Sequence, residues 1–169
     1  MIKSTLRVGL LMSTLALASC NDATGGGWLV SATDPNKKAH FGFSFHCKDQ
    51  DGMAVVSGRV EYKDQGYTVK DQNGKLQKLA LHGNMDAKFS ITCADVEASF
   101  GETGSYSGTY SPQPKTLGEG GTFRLTVQDL GQKGRSKEDT FSLILTGGVY
   151  DGYSHDGVIQ GGQIKVGKN

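Results

Sequence analysis

The chain has 169 residues, among them 25 glycines, three prolines and three cysteines, and its 18 basic and 17 acidic residues nearly cancel. So even a balance provides no overall field to recruit nucleic acid or a strongly charged substrate. Glycine at about twice its usual ~7% share, with no long segment of helical period, points to tight turns between short strands and an all-β chain.

At the beginning, Lys3 and Arg7 form a short positive region, and Val8 to Ala18 form an apolar run of eleven residues. That run is about half of what a bilayer-spanning helix needs, so residues 1–19 read as an export signal. The stretch Leu17-Ala18-Ser19-Cys20 resembles the lipobox of bacterial lipoproteins. The resemblance implies that Cys20 is cut free, acylated with diacylglycerol and palmitate-like chains, and anchored in a membrane. At about 0.8 kcal/mol per buried methylene, two or more chains make release very slow. Residues 20–27 then read as the lipidated cysteine and a short flexible tether reaching ~25 Å at most, which keeps the domain near the membrane. In enterobacterial lipoproteins an Asp after the cysteine favours the inner membrane; here that position is Asn21. By that resemblance the outer membrane of a bacterial cell envelope is favoured, with the inner membrane left open.

Taking 19 residues from 169 leaves 150, one domain's worth, and without Lys3 and Arg7 sixteen basic residues face seventeen acidic ones. Residues 28–169 form a single β domain, with no repeat and no second unit. Its predicted strands run in order from Trp28 to Ser31, from His40 to Cys47, from Met53 to Tyr62, near Tyr67 to Lys70, Leu76 to His82, Ala87 to Cys93 and Val96 to Phe100. Gly101 to Gly121, polar and rich in Gly, Ser and Thr, reads as a flexible hairpin or loop. Thr122 to Leu130, Thr140 to Thr146 and Val158 to Val166 complete the chain. About nine short strands at this spacing fit an antiparallel β-sandwich or flattened barrel.

With Cys20 assigned to lipid, Cys47 and Cys93 remain in an oxidising setting and are expected to form one disulfide. Phe41, Phe43, Phe45 and Cys47 alternate with polar neighbours, as do Phe89, Ile91 and Cys93, so both cysteines face the core.

The Gly25 to Gly27 run, the strand Gly58-Arg59-Val60-Glu61-Tyr62, the run from Val127 to Arg135 continuing to Asp139-Thr140-Phe141, and the closing segment Gly157 to Ile164 resemble the small β domains that accompany bacterial choice-of-anchor surface proteins. The resemblance spans most of the mature chain on short, glycine-dependent motifs. It implies an extracytoplasmic β module and brings no catalytic residue with it. The two cysteines, the lipid anchor and the insertion around Pro112 to Gly121 depart from the pattern.

Several constellations suggest chemistry. Gly162 to Lys168 has the spacing of a phosphate loop, but Asn169 stands where Ser or Thr is required and no helix follows, so it reads as a last strand. Asp49 and Asp51 evoke a calcium loop, yet Cys47 and Gly58 fall where carboxylates are needed, leaving a hairpin turn. The segment Tyr150-Asp151-Gly152-Tyr153-Ser154-His155-Asp156-Gly157 gathers two aromatics, two carboxylates and an imidazole. Such a loop suits a cation or a stacked sugar, making Tyr150, Asp151, Tyr153, His155 and Asp156 the candidate ligand residues. Asp129, Arg135 and Asp139 read as pinning their own loop by charged hydrogen bonds.

No nucleophile elbow, S-x-x-K or H-E-x-x-H occurs, and His40, His46, His82 and His155 are scattered. No catalytic residue and no cofactor is assigned. The leading expectation is a membrane-anchored, non-catalytic binding or envelope-structural module whose partner is an envelope protein or a glycan, with no nucleic acid. The alternative is a small hydrolase or metal-dependent enzyme built on the 150–157 loop.

Overall fold

The computed structural model describes residues 22–131 and 138–167; the signal segment, Cys20 and Arg135 lie outside them. Nine antiparallel strands form one curled sheet, a half-barrel. They are β1 (Asp22–Val30), β2 (Lys38–Gln50), β3 (Met53–Lys70), β4 (Leu76–Phe89), β5 (Thr103–Pro112), β6 (Gly121–Gln128), β7 (Thr140–Thr146), β8 (Ser154–Val158) and β9 (Gly161–Val166). The all-β expectation holds. The sheet order is β8-β7-β6-β5-β4-β3-β2-β1-β9, a meander in which the last strand crosses over to pair with the first.

Period-two alternation builds the interior. On β2, Phe41, Phe43 and Phe45 all point inward and are buried, and each meets a small residue on β1: Gly27, Gly25 and Ala23 respectively. On the other side Phe45 faces Gly58 of β3, where a Cβ would come within 2.6 Å of the Phe45 ring. Large rings against small neighbours are how a curled sheet fills its concave side. The rings then reach across: Phe41 stacks on Phe141 of β7 at 4.4 Å, and Phe45 lies parallel to Tyr106 of β5 at 4.1 Å.

Four expectations need correction. Asp22 to Gly27 is no flexible tether: it is strand, paired on one side with β2, and from Ala23 onward on the other with β9. Its glycines serve close packing, since the inward Cβ of a residue at 25 would overlap the Phe43 ring. Second, about half of Gly101 to Gly121 is strand: β5 alternates buried Gly104, Tyr106, Tyr110 and Pro112 with exposed Ser and Thr. Glycine at inward positions hid the alternation.

Third, Val96 to Phe100 belongs to a helix, α1 (Cys93–Phe100). Thr92 caps it: its Oγ1 accepts from the Asp95 N–H, while the Asp95 carboxylate accepts from the Thr92 N–H at 3.0 Å. That reciprocal pair is a capping box with Asp in place of Glu. Fourth, the segments expected separately at 53–62 and 67–70 are one long strand, those at 76–82 and 87–93 are another that ends at Phe89, with Phe89 and Ile91 exposed rather than facing the core and Cys93 in α1, and the single closing strand is two.

Cys47 and Cys93 form the expected disulfide, which fastens α1 to β2 across a separation of 46 residues. The helix packs against β2, β3 and β5 and covers the end of the half-barrel at which β1 begins.

Candidate functional site

The interior of the opposite end is polar, and β3 explains why. Its pairing with β4 breaks between Asp64 and Thr68, leaving Gln65, Gly66 and Tyr67 as a bulge. The turn at Gly66 lets its own N–H donate to Asp64 Oδ1 at 2.8 Å. Only glycine fits there, because a Cβ would come within 2.3 Å of Ser31 Oγ. The Ser31 segment therefore closes on the bulge, and the Ala32 N–H donates to Asp64 Oδ2 at 3.3 Å.

A chain of side chains leads from that carboxylate across the interior. Tyr153 Oη donates to Asp64 Oδ2 at 2.7 Å, Tyr62 and Tyr153 share a hydrogen bond of 2.7 Å, and Tyr62 Oη lies against His155 Nδ1. All four residues are buried, Asp64 completely. Tyr67 covers the group, its ring edge-on to Tyr153 at 4.9 Å.

Burial alone would raise the Asp64 carboxyl, but hydrogen bonds from Ser31, Gly66, Tyr153 and Ala32 outweigh it and hold the group below the usual carboxylate range. Burial pushes the His155 imidazole down, against the pull of Asp64 and a hydrogen bond to the backbone of Val30. Burial likewise raises Tyr62 and Tyr153 far above the ordinary phenol.

Asp64 is ionised, so Tyr153 gives it its only proton and must accept from Tyr62. His155 closes the series through Nδ1, with the Val30 backbone as its other partner. The result is a hydrogen-bonded series of His155, Tyr62, Tyr153 and Asp64 that joins β8 to β3 across the half-barrel. Chemically it is a charge-stabilised strut.

The candidate loop residues are thereby divided. Tyr153 and His155 belong to the strut. Tyr150, fully buried, donates to the Ala80 carbonyl at 3.1 Å, while its own N–H donates to Tyr110 Oη at 3.2 Å. Asp151 and Asp156 are exposed; Asp151 accepts the Gly147 N–H at 2.6 Å, and Asp156 lies on β8 opposite Ser142. Among the described residues no group of three or more His, Cys, Asp or Glu side chains is placed to hold a metal ion.

Asp64 and Tyr62 were missed as site residues, although the pattern carried a signal. Val56, Val60, Tyr62 and Asp64 continue one inward series, and an inward carboxylate on an apolar face demands partners. On the convex side, a groove of about 340 Å³ runs over β2, β3 and β4, with Gly42 as its floor and His40, Glu61, Lys63 and His82 around it. Glu61 stands directly between Gly42 and His82 in the register, and nothing fills the space above Gly42. Compared with known protein families, characterised proteins and solved structures, the chain matches none.

Proposed function

We propose that the protein is a lipid-anchored component of the bacterial cell envelope, favouring the outer membrane, whose half-barrel is a non-catalytic module that binds an envelope protein or glycan or serves the envelope structurally. The observation that carries this is the agreement of three independent features: the positive region at Lys3 and Arg7, the eleven-residue apolar run, and Leu17-Ala18-Ser19-Cys20 at its end. A disulfide is in keeping with export to an oxidising compartment. The side-chain-filled interior directs a binding role to outer surfaces such as the groove around Gly42.

An enzyme built on the 150–157 loop would bring its imidazole and carboxylates together on a substrate. His155 is instead buried against Tyr62, and Asp151 and Asp156 are exposed. The test is metabolic labelling with a radioactive fatty acid. The wild-type chain is expected to incorporate label at Cys20 and partition into detergent, and Cys20→Ser to lose both. Equal processing and partitioning of the variant would refute the anchor.

A further inference from the structure

We propose that the end of the half-barrel formed by the β2–β3 hairpin, the end of β4 and the segment leading into α1 is a bilayer-docking surface, with Met53, Phe89 and Ile91 entering the interface. The inference rests on the lipid-anchor reading above and specifies which face of the domain meets the membrane. Strand β1 starts at Asp22, paired with His46, at this end. Cys20 precedes Asp22 by two residues, a reach of about 7 Å, so a lipid there leaves the domain almost no freedom to turn away. His46 is followed within four residues by the tip of β2, so the hairpin projects toward the surface that holds the lipid.

The residues displayed there suit that surface. Met53, Phe89 and Ile91 are 37%, 40% and 44% exposed, high for large apolar side chains. They share the rim: Ala54, next to Met53, pairs with Phe89, so Met53 and Phe89 edge the two faces of the sheet, and the Ala54 N–H donates to the Ile91 carbonyl. In the next row inward, Lys48 and Lys88 flank Val55 across the sheet, on the face that carries Met53. Apolar groups at the rim with ammonium groups one step behind match the order of acyl region and anionic headgroup in a bilayer leaflet. Of the acidic residues at this end, Asp49 and Asp95 are spent on the N–H groups of Cys93 and Thr92, and Asp51 stands exposed in the hairpin turn.

The test uses the full lipidated protein in vesicles of zwitterionic and anionic phospholipid with brominated acyl chains. Phe89→Trp and Ile91→Trp are compared with Leu76→Trp, which sits at the opposite end at an exposed position; native Trp28, the only tryptophan, is the common background. Bromine is expected to quench the added fluorescence at 89 and 91 about twofold and at 76 not at all. On the unchanged chain, amide exchange over residues 89–92 is expected to slow in vesicles relative to soluble Cys20→Ser protein. Equal quenching at all three positions, or unchanged exchange, in protein that floats with the vesicles overturns the docking surface and leaves the anchor standing. Protein that neither floats nor carries an acylated N-terminus overturns the anchor, and the docking surface with it.

Discussion

Replacing Gly25 by Ala separates a packed strand from a tether. A Cβ at 25 would lie 2.5 and 2.6 Å from Phe43 Cε1 and Cζ. That ring is 5% exposed and flanked by Phe41 and Phe45 at 6.3 and 5.9 Å, so it has nowhere to retreat. Overpacking of this kind costs about 1–3 kcal/mol, and the entropy that Ala removes from the unfolded chain offsets up to about 1 kcal/mol. A net loss of about 1–2 kcal/mol lowers Tm by about 2–8 °C in a domain of this size. Gly26 is the control: its nearest contact would be the Phe41 carbonyl at 3.7 Å, so Gly26→Ala is expected to be neutral or mildly stabilising. Thermal and urea unfolding of the two variants reads the difference. If both melt within a degree of wild type, the packing argument fails and the glycine run behaves as a tether.

Three further outcomes are expected. Tyr62→Phe keeps the ring but deprives both Tyr153 and His155 of a partner, and urea unfolding should show a loss of about 1–3 kcal/mol. Because the folded pKa of His155 is lowered, the unfolded chain takes up the proton first; the stability due to the neutral ring is complete above about pH 6.5 and declines as pH falls toward the folded value. The slope of unfolding free energy between about pH 7 and 5 should therefore flatten in His155→Gln, and an unchanged slope would assign the dependence elsewhere. The double change Cys47→Ser with Cys93→Ser opens a 46-residue loop and should cost about 4 kcal/mol by chain entropy, seen as a lower urea midpoint.

The apolar strands were legible because alternation with Phe, Val and Leu states which side is buried, and the disulfide because two cysteines remained once Cys20 was assigned to lipid; the alternation at 89–93 misled, since Phe89 and Ile91 are exposed and Cys93 begins α1. Legibility failed where inward positions carry no bulk. In β5 the inward residues include glycines, and in β1 Ala23, Gly25 and Gly27 are small because phenylalanines on β2 stand opposite them. Such complementarity is a property of the pair and is invisible in either strand alone. The capping box of α1 was present in Thr92 and Asp95, but an eight-residue helix stapled by a disulfide needs little helical pattern of its own. The Tyr150 to Asp156 segment was rightly seen as dense in chemistry; the sequence could not show that register sends its aromatics and imidazole inward and its carboxylates outward.

That inward chemistry answers a problem of the topology. The sheet has two edges, β8 and β9, which are consecutive in the chain but are not paired with each other. A closed barrel would satisfy them with a ladder; here individual groups do it. The N–H of Ile159 donates to the Asp139 carbonyl and that of Gln160 to the Trp28 carbonyl as the chain crosses from one edge to the other. The Asp139 carboxylate, itself buried, takes the N–H groups of Leu130 and Gly131 on one oxygen and of Ile164 in β9 on the other. Asp64, through Tyr153, Tyr62 and His155, holds β8 to β3 from inside. Each carboxylate accepts several donors at once, which offsets the cost of burying it. The two buried carboxylates are therefore placed where the backbone ladder is missing, and they hold the half-barrel in its curled form.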